Sequence, residues 1–273
     1  MYAALIAHQE LVSLKLLDVG QGQAVLITWQ GKNGNGRMLV DGGGFASGTF
    51  DVGRQIVSPV LTANAAPELN WVVNSHPDAD HLQGLLFPLS TFRIGSVALG
   101  PDPGQKKTQT TVRRDAILER RGIAPVLWRA GDTVTLTPGL VLEVLHPGDD
   151  PGLSSNNSAL VLRLVREGKP LALICGDVEK YGIARMLARG PRLEADVLVL
   201  PHHGSAGSFS PQLYDAVKPK LALAACGYAN TWHFPARIVR EGLAARKIPL
   251  LTTAAQGQIA VTWKKGMRVE SAR

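Results

Sequence analysis

Residues 74–81 read Asn74-Ser75-His76-Pro77-Asp78-Ala79-Asp80-His81, directly after the apolar run Trp71-Val72-Val73. Two imidazoles and two carboxylates crowd together at the exit of what reads as a buried strand. Either the strand simply leaves the core through a polar turn, or the cluster holds metal. On an extended segment residues two apart share a face, so His76, Asp78 and Asp80 are expected to point together. His81 is then brought in by a turn.

The same pattern recurs along the chain. Asp41 follows "MLV", Asp177 follows "LALICG", and His202-His203-Gly204 follow "DVLVLP". Asn156-Asn157-Ser158 precede "ALVLRLV", and His233 stands in "TWHFPA". One such residue at a strand end is more often a cap or a solvated turn. For the whole set that reading fails, because five of the seven histidines fall at or near these junctions. His8 is remote from them and His146 is ambiguous. Two metals about 3.5–4 Å apart call for a large ligand set with a bridging carboxylate. A strand-final aspartate such as Asp177 suits the bridge.

Strands are expected at 11–17, 24–29, 38–40, 71–74 and 94–99, with helices over 52–63 and 111–121. In the latter Val112, Ile117 and Leu118 are roughly helically spaced and Gly122 is a stop. The second half repeats the theme, with strands at 133–136, 141–145, 159–165, 171–175, 197–200, 221–225 and 258–263. Helices are expected at 210–217 and 235–246, with Pro211 and Pro235 at or near their first positions. This predicts an α/β (α+β) chain of two mixed sheets packed face to face with helices outside. Residues 1–273 read as a single domain of two pseudo-halves, about 1–130 and 131–273.

At 273 residues, 45% hydrophobic and 19% charged, the composition is that of a globular protein with room for a sizeable core. No apolar run reaches the roughly 18–20 residues that span a bilayer, and the N-terminus lacks a signal pattern. The two cysteines, Cys175 and Cys226, sit inside apolar segments and read as small buried hydrophobes. A net charge of +7 favours a polyanionic partner, although the lysines and arginines are dispersed, as in Lys106-Lys107 and Arg113-Arg114.

"HPDADH" resembles the metallo-β-lactamase superfamily motif HxHxDH, with Asp78 where the second histidine usually stands. The pieces "LDVGQGQAVLI", "LVDGG", "HPDADHLQGL", "SSNNSALVLRL", "LICGDVEK" and "LVLPHHGSAGS" follow in order the pattern of one branch. That branch is the metallo-β-lactamase-like domain of ComEC, the DNA-uptake channel protein of natural transformation, and the resemblance covers roughly 12–261. It implies an αββα sandwich with the site on one edge. His76, Asp78 and His202 resemble ligands of one metal, Asp80 and His81 of the other, with Asp177 bridging.

Asn157 occupies the region of a further superfamily histidine and is a candidate ligand through its carbonyl. Asp41 resembles the strand-end aspartate that orients the histidine loop. His203 and His233 resemble site-edge histidines. Asp80, His203 and His233 are thus the catalytic candidates, and His203, Ser205 and His233 the substrate-binding ones. Gln23, in "GQGQA", departs from the acidic residue common in relatives.

A carboxylate at position 78 makes the expected site oxygen-rich, which favours Mn²⁺ or Mg²⁺ while three histidines keep Zn²⁺ open. Two-metal hydrolysis of DNA is the leading expectation, degrading the non-transported strand during competence DNA uptake. The rivals are a small-molecule ester, lactam or thioester hydrolase, and a DNA-binding or channel-gating module with a structural metal. DNA and a membrane uptake channel are the expected partners. The chain itself is expected to be a monomeric soluble domain, cytoplasmic or held at the inner membrane.

Overall fold

The computed structural model describes residues 11–32, 34–45, 49–101, 104, 107–150 and 152–273, so His8 and Lys106 lie outside the described residues. One sheet contains β1 (Leu11–Leu16), β2 (Val25–Gly31), β3 (Gly34–Val40), β4 (Glu68–Asn74), β5 (Arg93–Leu99) and β6 (Val126–Leu127). The other contains β7 (Thr133–Thr137), β8 (Leu140–His146), β9 (Val161–Arg166), β10 (Lys169–Ile174), β11 (Val197–Val199), β12 (Leu221–Ala224) and β13 (Leu250–Thr252). The final strands β14 (Ile259–Trp263) and β15 (Met267–Ser271) return to the first sheet, Val12 of β1 facing Trp263. The orders are β15-β14-β1-β2-β3-β4-β5-β6 and β13-β12-β11-β10-β9-β8-β7.

Strand β4 shows why the layers form. Val72 packs with the helix-side cluster and Val73, next along the strand, packs into the inter-sheet core. A strand covered on both faces has no polar side, hence the continuous apolar run. The inter-sheet core joins Leu14, Ile27 and Val73 to Leu142, Leu162 and Val199. The first sheet's outer cluster takes in Leu61, Leu89 and Ile117 from α1 (Ser58–Thr62), α3 (Leu86–Thr91) and α4 (Gln109–Arg120). Leu82, from the short α2 (Ala79–Leu82), joins the same cluster. On the second sheet the covering helices are α5 (Lys180–Ala188), α6 (Pro211–Val217) and α7 (Arg237–Ala245), which supply Ile183, Leu213 and Val239. This is the expected αββα arrangement.

Local chemistry sets several boundaries. The β9–β10 turn has Glu167 and Gly168 both at positive φ (49° and 74°), the geometry of a tight hairpin. Ser210 caps α6 by accepting from the Leu213 N–H at 3.2 Å, with Pro211 in the first turn.

The structure departs from the sequence reading in several elements. On α4 Val112 is exposed, and Thr111, Arg114, Ile117 and Leu118 form the buried stripe. Arg114 can replace an apolar residue there because its guanidinium meets Asp115 and Asn74. Pro235 lies before the helix, whose N-cap is Ala236. Strands β6, β13 and β15 and helices α3 and α5 lie outside the sequence reading, since each is short or only partly apolar.

Strands β3 to β6 run parallel, as do β10 to β13. Parallel pairing sends successive C-terminal ends to one edge, where open α/β sheets place their sites. The two edges meet: Leu160, just before β9, donates its N–H to the Ser75 carbonyl just after β4, at 3.0 Å.

Candidate metal centre

Strand β4 ends at Asn74 and the chain then changes form. Asp78 is extended (φ −70°, ψ 149°) and caps α2, so Asp80 and His81 sit on a helical turn. His76 and Asp78 therefore face together as an extended segment predicts, with 3.6 Å between His76 Nε2 and Asp78 Oδ2. Asp80 is carried by the turn toward His203 instead, at 3.4 Å. From the second sheet Asp177 follows β10, and His202 and His203 follow β11 in left-handed conformations (φ 48° and 56°). Both rings of this neighbouring pair are thereby turned to the site.

Asp177 stands between two pairs of imidazoles. Asp177 Oδ2 is 3.9 Å from His76 Nε2 and 3.6 Å from His202 Nε2. Asp177 Oδ1 is 2.9 Å from His81 Nε2 and 3.4 Å from His203 Nε2. Asp80, His81, Asp177 and His203 place ligand atoms within 4.8 Å of one another. His203, read from the sequence as a site-edge residue, thus sits inside the second group and is 2% exposed.

Asp41 holds the histidines in place. It is fully buried in a left-handed conformation (φ 59°) and accepts from His81 Nδ1 (2.8 Å), Ser75 N (2.7 Å) and Ser75 Oγ (2.7 Å). Gln23 Nε2 donates to the same carboxylate at 3.1 Å, which gives this residue a role in the site. With its hydroxyl proton given to Asp41, Ser75 Oγ accepts from His76 Nδ1 at 3.0 Å. Both imidazoles then carry hydrogen on Nδ1 and face Nε2 inward, the orientation that metal-binding histidines use. Gly22 lets the "GQGQ" loop reach the site, because a side chain there would collide with the Asp80 carbonyl and its φ is +110°.

The pocket favours positive charge. Burial alone would lower the His81 pKa, but Asp177 and Asp41 outweigh it and hold it well above the ordinary imidazole range. At His203 burial also lowers, and Asp177 and Asp80 raise it to about 9. Burial would raise the Asp177 and Asp80 carboxyls, yet the histidines keep Asp177 well below its usual range and Asp80 at about 2. His76 is lowered, first by burial and then by His81. Nε2 of His76, His81 and His203 and Oδ1 of Asp177 are buried without a hydrogen-bond partner. Buried polar atoms rarely stay unpaired, so convergent orphaned donors of these types fit divalent cations.

The other candidates lie elsewhere. Asn157 Oδ1 accepts from the Gly182 N–H (2.8 Å) and its amide donates to Ser154 Oγ (2.9 Å), fastening the turn before β9 to α5. Its backbone carbonyl accepts from His146 Nε2 at 2.6 Å. Ser205 Oγ accepts from the Gly207 N–H at 3.1 Å as a local cap. His233 is exposed, and Phe234 beside it packs its ring against His202 and His203.

Three residues went unread in the sequence: Ser75, Glu179, 3.3 Å from His202 Nδ1, and Ser155, whose Oγ donates to Asp78 Oδ1 at 2.8 Å. Ser75 and Glu179 each adjoin or follow closely on a candidate ligand, the one signal that could have flagged them. A cleft of about 280 Å³ opens beside His76 and carries Arg114 and Arg129. A larger hollow of about 770 Å³ lies on the outer face of the first sheet, around Ser13, Thr28 and Arg37, and none of the ligand candidates lines it.

No protein-family model matches the chain. In sequence it is similar to ComE operon protein 3 of Bacillus subtilis, 28% identical over 91% of this chain and 33% of that protein. It is 30% identical to competence protein ComA of Neisseria gonorrhoeae, over 89% of this chain and 31% of that protein. Recombination protein 2 of Haemophilus influenzae is 29% identical over 94% and 30%. The chain thus spans about a third of the length of the curated relatives it matches.

Among solved structures it is similar to Igni18, a metallo hydrolase from Ignicoccus hospitalis, with a TM-score of 0.56 and 15% identity over 92% of this chain and 99% of that one. Zn²⁺-bound PqqB from Methylobacterium extorquens gives 0.51 and 13% over 89% and 97%. Over most of its length the chain is thus similar in sequence to competence proteins, and in fold to the metallo hydrolase Igni18. No helix among the described residues is long and apolar enough to cross a membrane.

Proposed function

We propose that the chain is a divalent-metal-dependent phosphodiesterase that cuts DNA, acting on the non-transported strand in a competence uptake system. The observation that carries this is the buried Asp177 carboxylate, whose two oxygens each face a pair of imidazole nitrogens. His76, Asp78, His202 and Asp177 Oδ2 would hold one ion, and Asp80, His81, His203 and Asp177 Oδ1 the other. Such ions supply an activated water at neutral pH and positive charge for both oxygens of an in-line displacement at phosphorus. The competence relatives and the net charge of +7 favour a polyanionic substrate over a small ester or lactam.

The chain's own side chains divide the remaining work. Asp41 and Ser75 keep the Nε2 atoms of His81 and His76 aimed inward. Asp78 and Asp80 form the solvent-open rim, their side chains 42% and 34% exposed. Asp80, beside His203, is the carboxylate placed to orient the attacking water. Arg129, exposed on the wall of the adjoining cleft, would receive a backbone phosphate, while Arg114 is buried and held by Asp115 and Asn74. Carboxylates alternate with imidazoles in both groups, a donor mixture that supports Mn²⁺ while admitting Zn²⁺.

The test follows cleavage of a labelled DNA strand and, separately, of a chromogenic lactam as salt is raised. Counterion release makes binding of a polyanion weaken steeply with salt. We expect DNA to be cut with a Michaelis constant that climbs with ionic strength. Lactam turnover without DNA cleavage would overturn the proposal, and salt-dependent DNA binding without cleavage in any divalent metal would make the chain a binding module.

A further inference from the structure

The loop between β12 and α7 exposes two large aromatic side chains beside the metal centre, Tyr228 at 85% and Trp232 at 61%. The loop that presents them is pinned. Asn230 Nδ2 donates to the carbonyls of Gly227 (3.1 Å) and Phe234 (3.0 Å), and its Oδ1 accepts from the Phe234 N–H (2.8 Å). The Gly227 N–H in turn reaches Gln21 Oε1 at 3.3 Å, tying the loop to the first sheet's side of the site. The backbone that carries the rings is therefore fixed before any ligand arrives.

The rings form a series. Trp232 lies nearly parallel to Phe234, with centroids 6.3 Å apart and 20° between planes. Phe234 lies nearly parallel to His203, at 6.2 Å and 27°. A column of rings thus runs from solvent down to an imidazole of the second donor group. His233, with φ 55°, turns the backbone so that residues 232 and 234 stack while its own ring stays outside.

We propose that Trp232, backed by Phe234, is a stacking platform for an unpaired nucleobase, so that the site takes single-stranded nucleic acid. This rests on the phosphodiesterase reading and names the form of its substrate. A flat, rigid, exposed ring offers every base a face to stack on, whatever its identity. Bases inside a duplex keep both faces covered by their neighbours, so only a single strand or a frayed end can use the platform. The net charge of +7 suits the accompanying phosphates. A lipid surface would also accept Trp232 and Tyr228, but it gives no reason for the ring column to end on His203.

The test is equilibrium binding, by fluorescence anisotropy, of metal-loaded protein to phosphorothioate-linked oligothymidylate, which resists cutting. An abasic strand of the same length and charge is titrated in parallel. Trp232→Ala is expected to weaken oligothymidylate binding about tenfold, Trp232→Phe to stay within about twofold of the parent, and all three proteins to bind the abasic strand alike. Unchanged oligothymidylate affinity in Trp232→Ala overturns the inference. So does an equal loss for the abasic strand, or a loss confined to vesicles of phosphatidylglycerol. Because binding is read without turnover, the two proposals fail separately. A strand bound through Trp232 but never cut defeats the phosphodiesterase reading, and a strand cut normally with unaltered Trp232→Ala affinity defeats this one.

Discussion

The carboxylate of Asp41 and the Nδ1 of His81 lie 2.8 Å apart, although 40 residues separate them in the chain. The same carboxylate reaches His76 through the Ser75 hydroxyl, so one buried anion sets the tautomers of two candidate ligands. Asp41→Asn keeps the size and the left-handed preference of the position but loses an accepting oxygen. We expect about 10–100-fold weaker binding of the second ion by calorimetry, with the far-ultraviolet circular dichroism unchanged. Parent-like affinity would show that His81 is oriented by something else. Ser75→Ala should act mainly on the His76 side.

Asp177 is the side chain common to both donor groups, and it is 3% exposed. Asp177→Ala should leave fewer than two ions bound, measured by elemental analysis after desalting, and abolish DNA hydrolysis. Asp80→Ala should lose activity while keeping the ion held by His76, Asp78 and His202. Full hydrolysis by either variant would remove the two-metal basis of the proposed reaction.

Metal choice follows the balance of donors. Asp78 would contribute an oxygen to the proposed first ion, and Ser155 Oγ donates to Asp78 Oδ1 at 2.8 Å. Chelator-stripped protein should recover more activity with Mn²⁺ than with Zn²⁺, and Asp78→His should move the preference toward Zn²⁺. Equal or better recovery with Zn²⁺ in the parent would mean that carboxylate content does not control the choice. The presence of His203 in the second group, raising the imidazole count from three to four, narrows the expected margin.

His146 supplies a pH effect away from the metals. It is fully buried, donates from Nε2 to the Asn157 carbonyl and accepts at Nδ1 from Arg189. Burial, helped by Arg189, pushes its pKa down to about 4 from an ordinary 6.5. As pH falls below about 6.5 the unfolded chain takes up this proton and the folded one does not, so stability declines until about pH 4, below which both are protonated. The window corresponds to a loss of roughly 3 kcal/mol. Urea unfolding of metal-saturated protein between pH 7 and 4.5 should show it, and His146→Gln should flatten the profile while being less stable at pH 7. Parallel profiles for the two proteins would assign the pH effect elsewhere.

The strand ends and the cluster at 76–81 were legible because apolar runs and ligand-type residues are local signals. The apolar run of β4 and the His/Asp cluster at its end required nothing from the rest of the chain. What the sequence hid depends on backbone direction over one or two residues. His202 and His203 both turn inward because both are left-handed, which no side-chain pattern announces. Phe234 packs on the histidine pair and His233 does not, a choice made by the positive φ at His233. The Gly182 N–H donates to Asn157 Oδ1, a contact made only once α5 has packed.

The donors His76, Asp78, Asp80 and His81 follow a strand of one sheet, and Asp177, His202 and His203 follow strands of the other. Between the layers the attachment is otherwise largely apolar, and apolar faces tolerate sliding because their attraction has no direction. Coordination is directional and tolerates very little. A bound ion pair would therefore act as a vernier between the two layers, magnifying small displacements into changes of occupancy. A substitution deep in the inter-sheet core, such as Leu162→Ala, would shift metal affinity without touching a ligand. Mis-stacked molecules would then be catalytically silent even when their secondary structure is complete.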